Sequence, residues 1–118
     1  MAITILIVDD EPNIRDTVQD ILEAEGYAVY SEGTAAGAMA RLKSTPADLA
    51  LLDFNLPDAN GIDLAVQIKK QCSKTASILM TGEARVDLGQ ARDAVNAVLT
   101  KPVDPAQLLK ALRAIVDS

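Results

Sequence analysis

Five short apolar runs alternate along the chain with longer stretches of helical period. The run ITILIV (3–8) is β-branched and almost wholly apolar, which suits a strand buried on both faces. Pro12 then opens a segment with Ile14, Val18, Ile21 and Leu22 on one face, stopped by Gly26, the expected punctuation of a helix. YAVYS (27–31) predicts a second strand, less apolar and so nearer an edge. Thr34 caps an Ala-rich helix that carries Met39 and Leu42 and ends before Pro46. LALLDF (49–54) is a third strand. After the loop 57–61, Leu64, Ala65 and Ile68 stripe a third helix, with Ile62 and Val66 at its margins. SILMT (77–81) and NAVLT (96–100) predict the fourth and fifth strands. The helix expected between them, near 84–94, is the weakest, because Gly89 interrupts it and large apolar residues are few. In the fifth helix Asp104 is the cap, Pro105 sits in the first turn and Gln107 completes a capping box. Its buried face is Leu108, Leu109, Leu112, Ile115 and Val116.

Five βα units with short connections imply an α/β fold, a parallel sheet covered by helices on both faces. Right-handed crossovers make it a doubly wound open sheet. Such sheets bind ligands outside the carboxyl ends of their strands. The chain of 118 residues shows no linker or low-complexity run, so residues 1–118 are expected to form one domain.

Composition narrows the chemistry. Tyr27, Tyr30 and Phe54 are the only aromatic residues, so the core must be aliphatic. The formal charge of −6 argues against direct nucleic-acid binding, which needs a basic face. Lys69, Lys70 and Lys74 are too few for that task and read as a solvated helix face. The absence of histidine removes His-ligated zinc and Ser–His or Cys–His catalysis. The single Cys72 has no partner for an intrachain disulfide. MAITILIV is too short for a membrane span and lacks the basic flank of a signal peptide, so a cytoplasmic location is the expectation.

The residues just past the strands carry a sharper signal. Strand one runs into Asp9, Asp10 and Glu11, and strand three ends in Asp53. Strand four ends in Thr81 and Gly82, and strand five in Thr100 and Lys101. In a parallel sheet these ends share one edge, so three aspartates, a hydroxyl and an ammonium group are expected to converge. Two carboxylates about 4 Å apart repel by roughly 4 kcal/mol at an effective dielectric of about 20. A hard divalent cation removes that penalty, and Mg²⁺ takes oxygen ligands such as Asp9, Asp10, Asp53 and the backbone carbonyl of Asn55. No phosphate-cradling glycine loop is present, so a small phosphoryl group is a better candidate than a nucleotide. A carboxylate can itself accept a phosphoryl group, with Lys101 offsetting charge and Thr81 donating a hydrogen bond. Taken singly, each residue also has a plainer role: Asp9 or Asp10 as a helix cap, Asp53 as an Asx-turn, Lys101 as a surface lysine.

The sequence resembles the receiver domain of two-component response regulators along nearly its whole length. ILIVDDEP (5–12) is similar to the family's acidic pair after strand one, and LLDFNLPDANGIDL (51–64) to its phospho-acceptor strand and loop. ILMTGEA (78–84) and LTKPVD (99–104) resemble its hydroxyl and Lys-Pro segments. The resemblance implies a flavodoxin-like sheet of order 2-1-3-4-5. It also implies that Asp53 accepts phosphate from a sensor histidine kinase or a histidine phosphotransfer protein, with Asp9 and Asp10 holding Mg²⁺. Thr81 and Lys101 would contact the phosphoryl group, and Lys101–Pro102 would be a cis bond. Gly82 would leave an open approach to Asp53, while Asn55 and Glu83 would flank the phosphate and modulate its hydrolysis. Such a protein is not a conventional enzyme; it catalyses its own phosphotransfer and slow dephosphorylation. Its output partner is not named by the residues, and one candidate contact is a homodimer through the fourth helix, fifth strand and fifth helix.

One position departs from the pattern. Most family members carry an aromatic residue three positions before the lysine, where this chain has Val98. A switch that rotates a ring inward has no ring to move here. This motivates an alternative reading, a receiver-like module that binds a partner independently of phosphate. A haloacid-dehalogenase-like phosphatase would need an Asp-x-Asp arrangement after strand one, which VDDEP does not supply.

Overall fold

The computed structural model describes residues 3–83 and 87–117. Its five strands are β1 (Thr4–Val8), β2 (Ala28–Glu32), β3 (Leu49–Asp53), β4 (Ala76–Thr81) and β5 (Ala97–Thr100). Each pairs in parallel with its neighbours in the order β2-β1-β3-β4-β5. The four α-helices are α1 (Pro12–Ala24), α2 (Ala35–Ser44), α3 (Gly61–Gln71) and α4 (Pro105–Val116).

The period of two in each strand divides the core into two layers. Leu6, Val8, Ala50, Leu52 and Leu79 pack with Met39, Leu42, Leu64 and Ile68 of α2 and α3. Ile5, Ile7, Leu49, Leu51, Ile78 and Met80 pack with Val18, Leu22, Leu108 and Leu112 of α1 and α4. The central strand β3 is buried at all five positions, which explains its uninterrupted apolar run. The edge strand β2 is only partly buried, as its mixed composition indicates.

The expected elements stand within a residue or two of their observed ends, with two corrections. The segment expected as a helix near 84–94 contains a 3₁₀ turn at Gly89–Ala94, and residues 84–86 of that expectation lie outside the described residues. Gly89 adopts a left-handed φ of +53°, and small Ala91 and Ala94, rather than a long apolar stripe, form the buried contacts. This is too little apolar surface to anchor several α-helical turns. The capping box of the last helix is also not made: Asp104 is the N-cap residue, but its side chain caps no backbone N–H. Pro105 at the first turn presets the helical φ, and buried Leu108 and Leu112 hold the helix down. Thr34 does cap α2, its hydroxyl accepting from Gly37 N at 2.9 Å.

Gly61 opens α3 directly under β3. A Cβ there would lie 2.5 Å from the Asp53 carbonyl oxygen and 2.7 Å from Leu79 Cδ1, whereas one at Gly82 would meet nothing within 4 Å. Gly61→Ala is therefore expected to lower unfolding free energy by about 1–3 kcal/mol, as overpacking does, and Gly82→Ala to stay within about 0.5 kcal/mol of the native chain. Urea denaturation of the two variants measures the difference, and equal stabilities would contradict the packing described.

Candidate functional site

The strand order places the carboxyl ends of β1 and β3 side by side, with Val8 opposite Leu52. Asp9 and Asp53, each just at the end of its strand, are therefore neighbours by construction. Asp9 is completely buried and Asp53 nearly so, while Asp10 is exposed. One carboxylate oxygen from each lies within 4.8 Å of the others. Thr81 is buried at the end of β4, where Asp53 pairs with Met80, one residue earlier.

Lys101 joins the acids. It follows β5, and its backbone N–H donates to the Thr81 carbonyl at 2.7 Å. Its Nζ donates to Asp9 Oδ2 and to Asp53 Oδ1, both at 3.0 Å. The Lys101–Pro102 peptide is cis, as the resemblance implies. Burial would by itself push the Lys101 ammonium below its usual range; the hydrogen bonds from it to Asp9 and Asp53 outweigh that and hold its pKa above the ordinary lysine value. Burial raises the Asp53 carboxyl above its ordinary range, the hydrogen bond from Lys101 opposes this, and the charge of Asp9 adds to the rise.

The remaining contacts orient the set. Asp9 Oδ1 accepts from Glu11 N at 2.9 Å. Neither Asp9 nor Asp10 is the N-cap of α1; that position is Glu11. Asp53 Oδ1 also takes a long contact, 3.4 Å, from Asn55 N, the Asx-like turn expected at this position. Asn55 bridges Asn60 across the loop, and its carbonyl accepts no hydrogen bond from the described residues. The Thr81 hydroxyl accepts from Glu83 N at 3.0 Å. Gly82 and Glu83 are exposed beside it, as is Pro102, and Val98 is 42% exposed on the edge strand β5.

Two residues that bear on the site were not singled out by sequence pattern. Arg15, on α1, donates through its guanidinium to the Asp9 backbone carbonyl at 2.6 Å and braces the acidic loop. Asp58, in the loop after β3, accepts from Ala35 N and Ala36 N at 2.9 Å each, tying that loop to the start of α2. Those two backbone donors hold the Asp58 carboxyl below its ordinary range. Asp58 lies more than twenty residues from the helix it caps, so no local capping pattern could reveal it.

The donor set consists of oxygens only: three carboxylates and a free backbone carbonyl. That is the chemistry of a hard cation with octahedral preference, and Mg²⁺ fits it better than a nitrogen- or sulfur-seeking metal. A family model for the response regulator receiver domain matches residues 5–113. The chain belongs to that family. Phosphorylation-dependent switching is the role of receiver domains, and they bind Mg²⁺ at an acidic pocket.

Among curated relatives, the transcriptional regulatory protein KdpE of Mycobacterium tuberculosis is 34% identical over 113 residues, covering 95% of this chain and 50% of that protein. TorR, the TorCAD operon transcriptional regulatory protein of Escherichia coli, is 37% identical, covering 89% of this chain and 46% of that protein. The chain thus spans about half the length of these relatives. A CheY-like receiver domain protein from Methanospirillum hungatei superposes with a TM-score of 0.92 at 34% identity, covering 99% of this chain and 95% of that one. The response regulator TrrA of Thermotoga maritima, solved in complex with Mg²⁺-BeF, superposes with a TM-score of 0.88 at 27% identity, covering 96% and 98%. Among the described residues of this receiver, no helix is long and apolar enough to cross a membrane.

A carboxyl whose pKa is raised on folding binds its proton more tightly in the folded state. The folded state is then favoured below the unfolded carboxyl pKa, and that advantage is lost as pH rises through the raised value. In metal-free buffer Asp53→Asn is therefore expected to be more stable than the native receiver at neutral pH, with the gap closing in mild acid. Denaturant curves at the two pH values measure this. A variant less stable than the native chain at neutral pH would mean that the Lys101 pairing outweighs the burial of the charge.

Proposed function

We propose that Asp53 is the phospho-acceptor of this receiver, taking its phosphoryl group from a phosphohistidine on a sensor histidine kinase or a histidine phosphotransfer protein. The observation that carries the reading is the Lys101 ammonium held 3.0 Å from both Asp53 and Asp9, beside a cluster of three carboxylates. Asp9, Asp10, Asp53 and the Asn55 carbonyl would hold Mg²⁺, which when bound offsets the negative charge of the phosphoryl oxygens. A carboxylate oxygen of Asp53 bonds to phosphorus as the P–N bond of the phosphohistidine breaks. The departing electron pair stays on the imidazole nitrogen, which takes up a proton. Asp53 Oδ2 accepts no hydrogen bond from the described residues, so it is the oxygen available for attack, while Oδ1 is occupied by Lys101 and Asn55 N.

Phosphoryl transfer of this kind rests on positioning and charge neutralisation. Lys101 supplies a fixed positive charge. The Thr81 hydroxyl, now accepting from Glu83 N, has its own proton to donate to a phosphoryl oxygen. Gly82 leaves the approach open, and Asn55 and exposed Glu83 flank the path of hydrolytic water. The chain acts as one receiver unit in the cytoplasm, promotes its own phosphorylation and slow dephosphorylation, and changes its affinity for an output partner or for a second copy. Exposed Val98 in place of a ring favours one alternative, a module that binds its partner whether or not Asp53 is modified.

With Mg²⁺ and acetyl phosphate, intact-mass measurement is expected to show one added phosphoryl group on the native chain and none on Asp53→Asn. Lys101→Met is expected to slow the reaction by at least about a hundredfold, the scale of one preorganised charge in a phosphoryl site. Modification of the Asn variant at the native rate would remove Asp53 from the role. A partner complex whose affinity is the same for both chains would favour the alternative.

A further inference from the structure

The opposite end of the strands carries a mainly apolar cavity. The carboxyl ends of α2 and α3, with the loops leading to β3 and β4, enclose about 460 Å³ lined by Leu42, Lys43, Ala47, Cys72, Ser73 and Lys74 among others. That volume lies within the range of small-molecule sites. Leu42 and Ala47 are buried and give the cavity an apolar floor, whereas Lys43, Ser73 and Lys74 are exposed. Among the described residues no acid lines it, and Asp93 lines the adjoining groove with Lys74. Among the described residues every ion pair uses Arg41, Lys101 or Arg113, so neither cavity lysine is neutralised. In a chain of net charge −6, two lysines without an ion-pair partner among the described residues thus line one cavity.

We propose that this cavity binds a small organic anion, its carboxylate or phosphate group held by Lys43 and Lys74 and its apolar body against Leu42 and Ala47. The helix ends define which anion fits. Helices α2 and α3 present their carbonyl-rich, partially negative ends here, which disfavour a compact ion such as inorganic phosphate. The apolar floor must therefore contribute to the affinity, and the ligand carries both characters. Lys43 lies in the last turn of α2 and Lys74 three residues beyond α3, so the two approach the cavity from different elements. The site is independent of Asp53 chemistry, being at the other end of the strands.

The only cysteine of the chain, half-buried Cys72, stands in the cavity wall and reports occupancy directly. The probe is 1-naphthoate, with its uncharged amide and inorganic phosphate as controls, and the readout is the concentration that halves the rate of Cys72 alkylation by iodoacetamide. Naphthoate is expected to protect saturably and to shift the amide resonances of Ala47, Cys72 and Ser73, while neither control does. The Lys43→Met/Lys74→Met chain is expected to need about tenfold more naphthoate, the loss of two exposed ion pairs, yet to be phosphorylated like the native chain. The proposal is overturned if naphthoate gives no protection, if the amide or phosphate protects equally, or if the double variant binds unchanged.

Discussion

Three carboxylates gathered at one sheet edge are the constraint around which this molecule is arranged. Asp9 and Asp53 are buried there at the ends of adjacent strands, and water cannot screen their repulsion as it would on an open surface. Lys101 is the internal counter-charge. It follows β5, with β4 between it and β3 and both β3 and β4 between it and β1, yet its ammonium touches both acids. The raised carboxyl of Asp53 shows that one ammonium does not fully compensate for burial and for Asp9. A residual electrostatic deficit of this sort is what a hard cation relieves.

The scaffold serves that edge by being rigid beneath it. The two aliphatic layers lock β1, β3 and β4 in register, so strand ends that are distant in sequence stay fixed in space. Gly61 lets α3 start against the Asp53 carbonyl, where any side chain would force the strand or helix away. Arg15 pins the carbonyl of Asp9, and Asp58 ties the loop after β3 to α2, so both acid-bearing loops are held by groups outside them. By contrast, the described part of the connection between β4 and β5, residues 87–96, packs on the α2/α3 layer through Leu88, Ala94 and Val95.

The two ends of the strands differ in kind. The carboxyl end concentrates negative charge around a partly buried lysine, while the amino end carries lysines that have no carboxylate partner among the described residues, beside an apolar cavity. Helix α3 runs between them, with Gly61 under Asp53 and Gln71 at the cavity. A single element thus touches both regions, packed against β3, β4 and the 3₁₀ turn.

Much of this was legible in the linear chain. Period-two apolar runs, Pro12 and Pro105 at helix starts, and Thr34 as a cap are local signals, and local signals give elements to within a residue or two. The site set was legible too, because in a parallel sheet every carboxyl end faces the same edge, whatever the intervening distance. The 3₁₀ turn at Gly89–Ala94 was not, since weak periodicity leaves the outcome to packing against α3. Nor were the uncapped Asp104, the Arg15 brace, the Asp58 tie or the unpaired state of Lys43 and Lys74. Each depends on which groups meet across the fold. Sequence alone determined the alternation of elements and the residue types at the strand ends; only tertiary structure decided which charges are buried, which are paired and by whom, because desolvation and pairing are properties of neighbours in space.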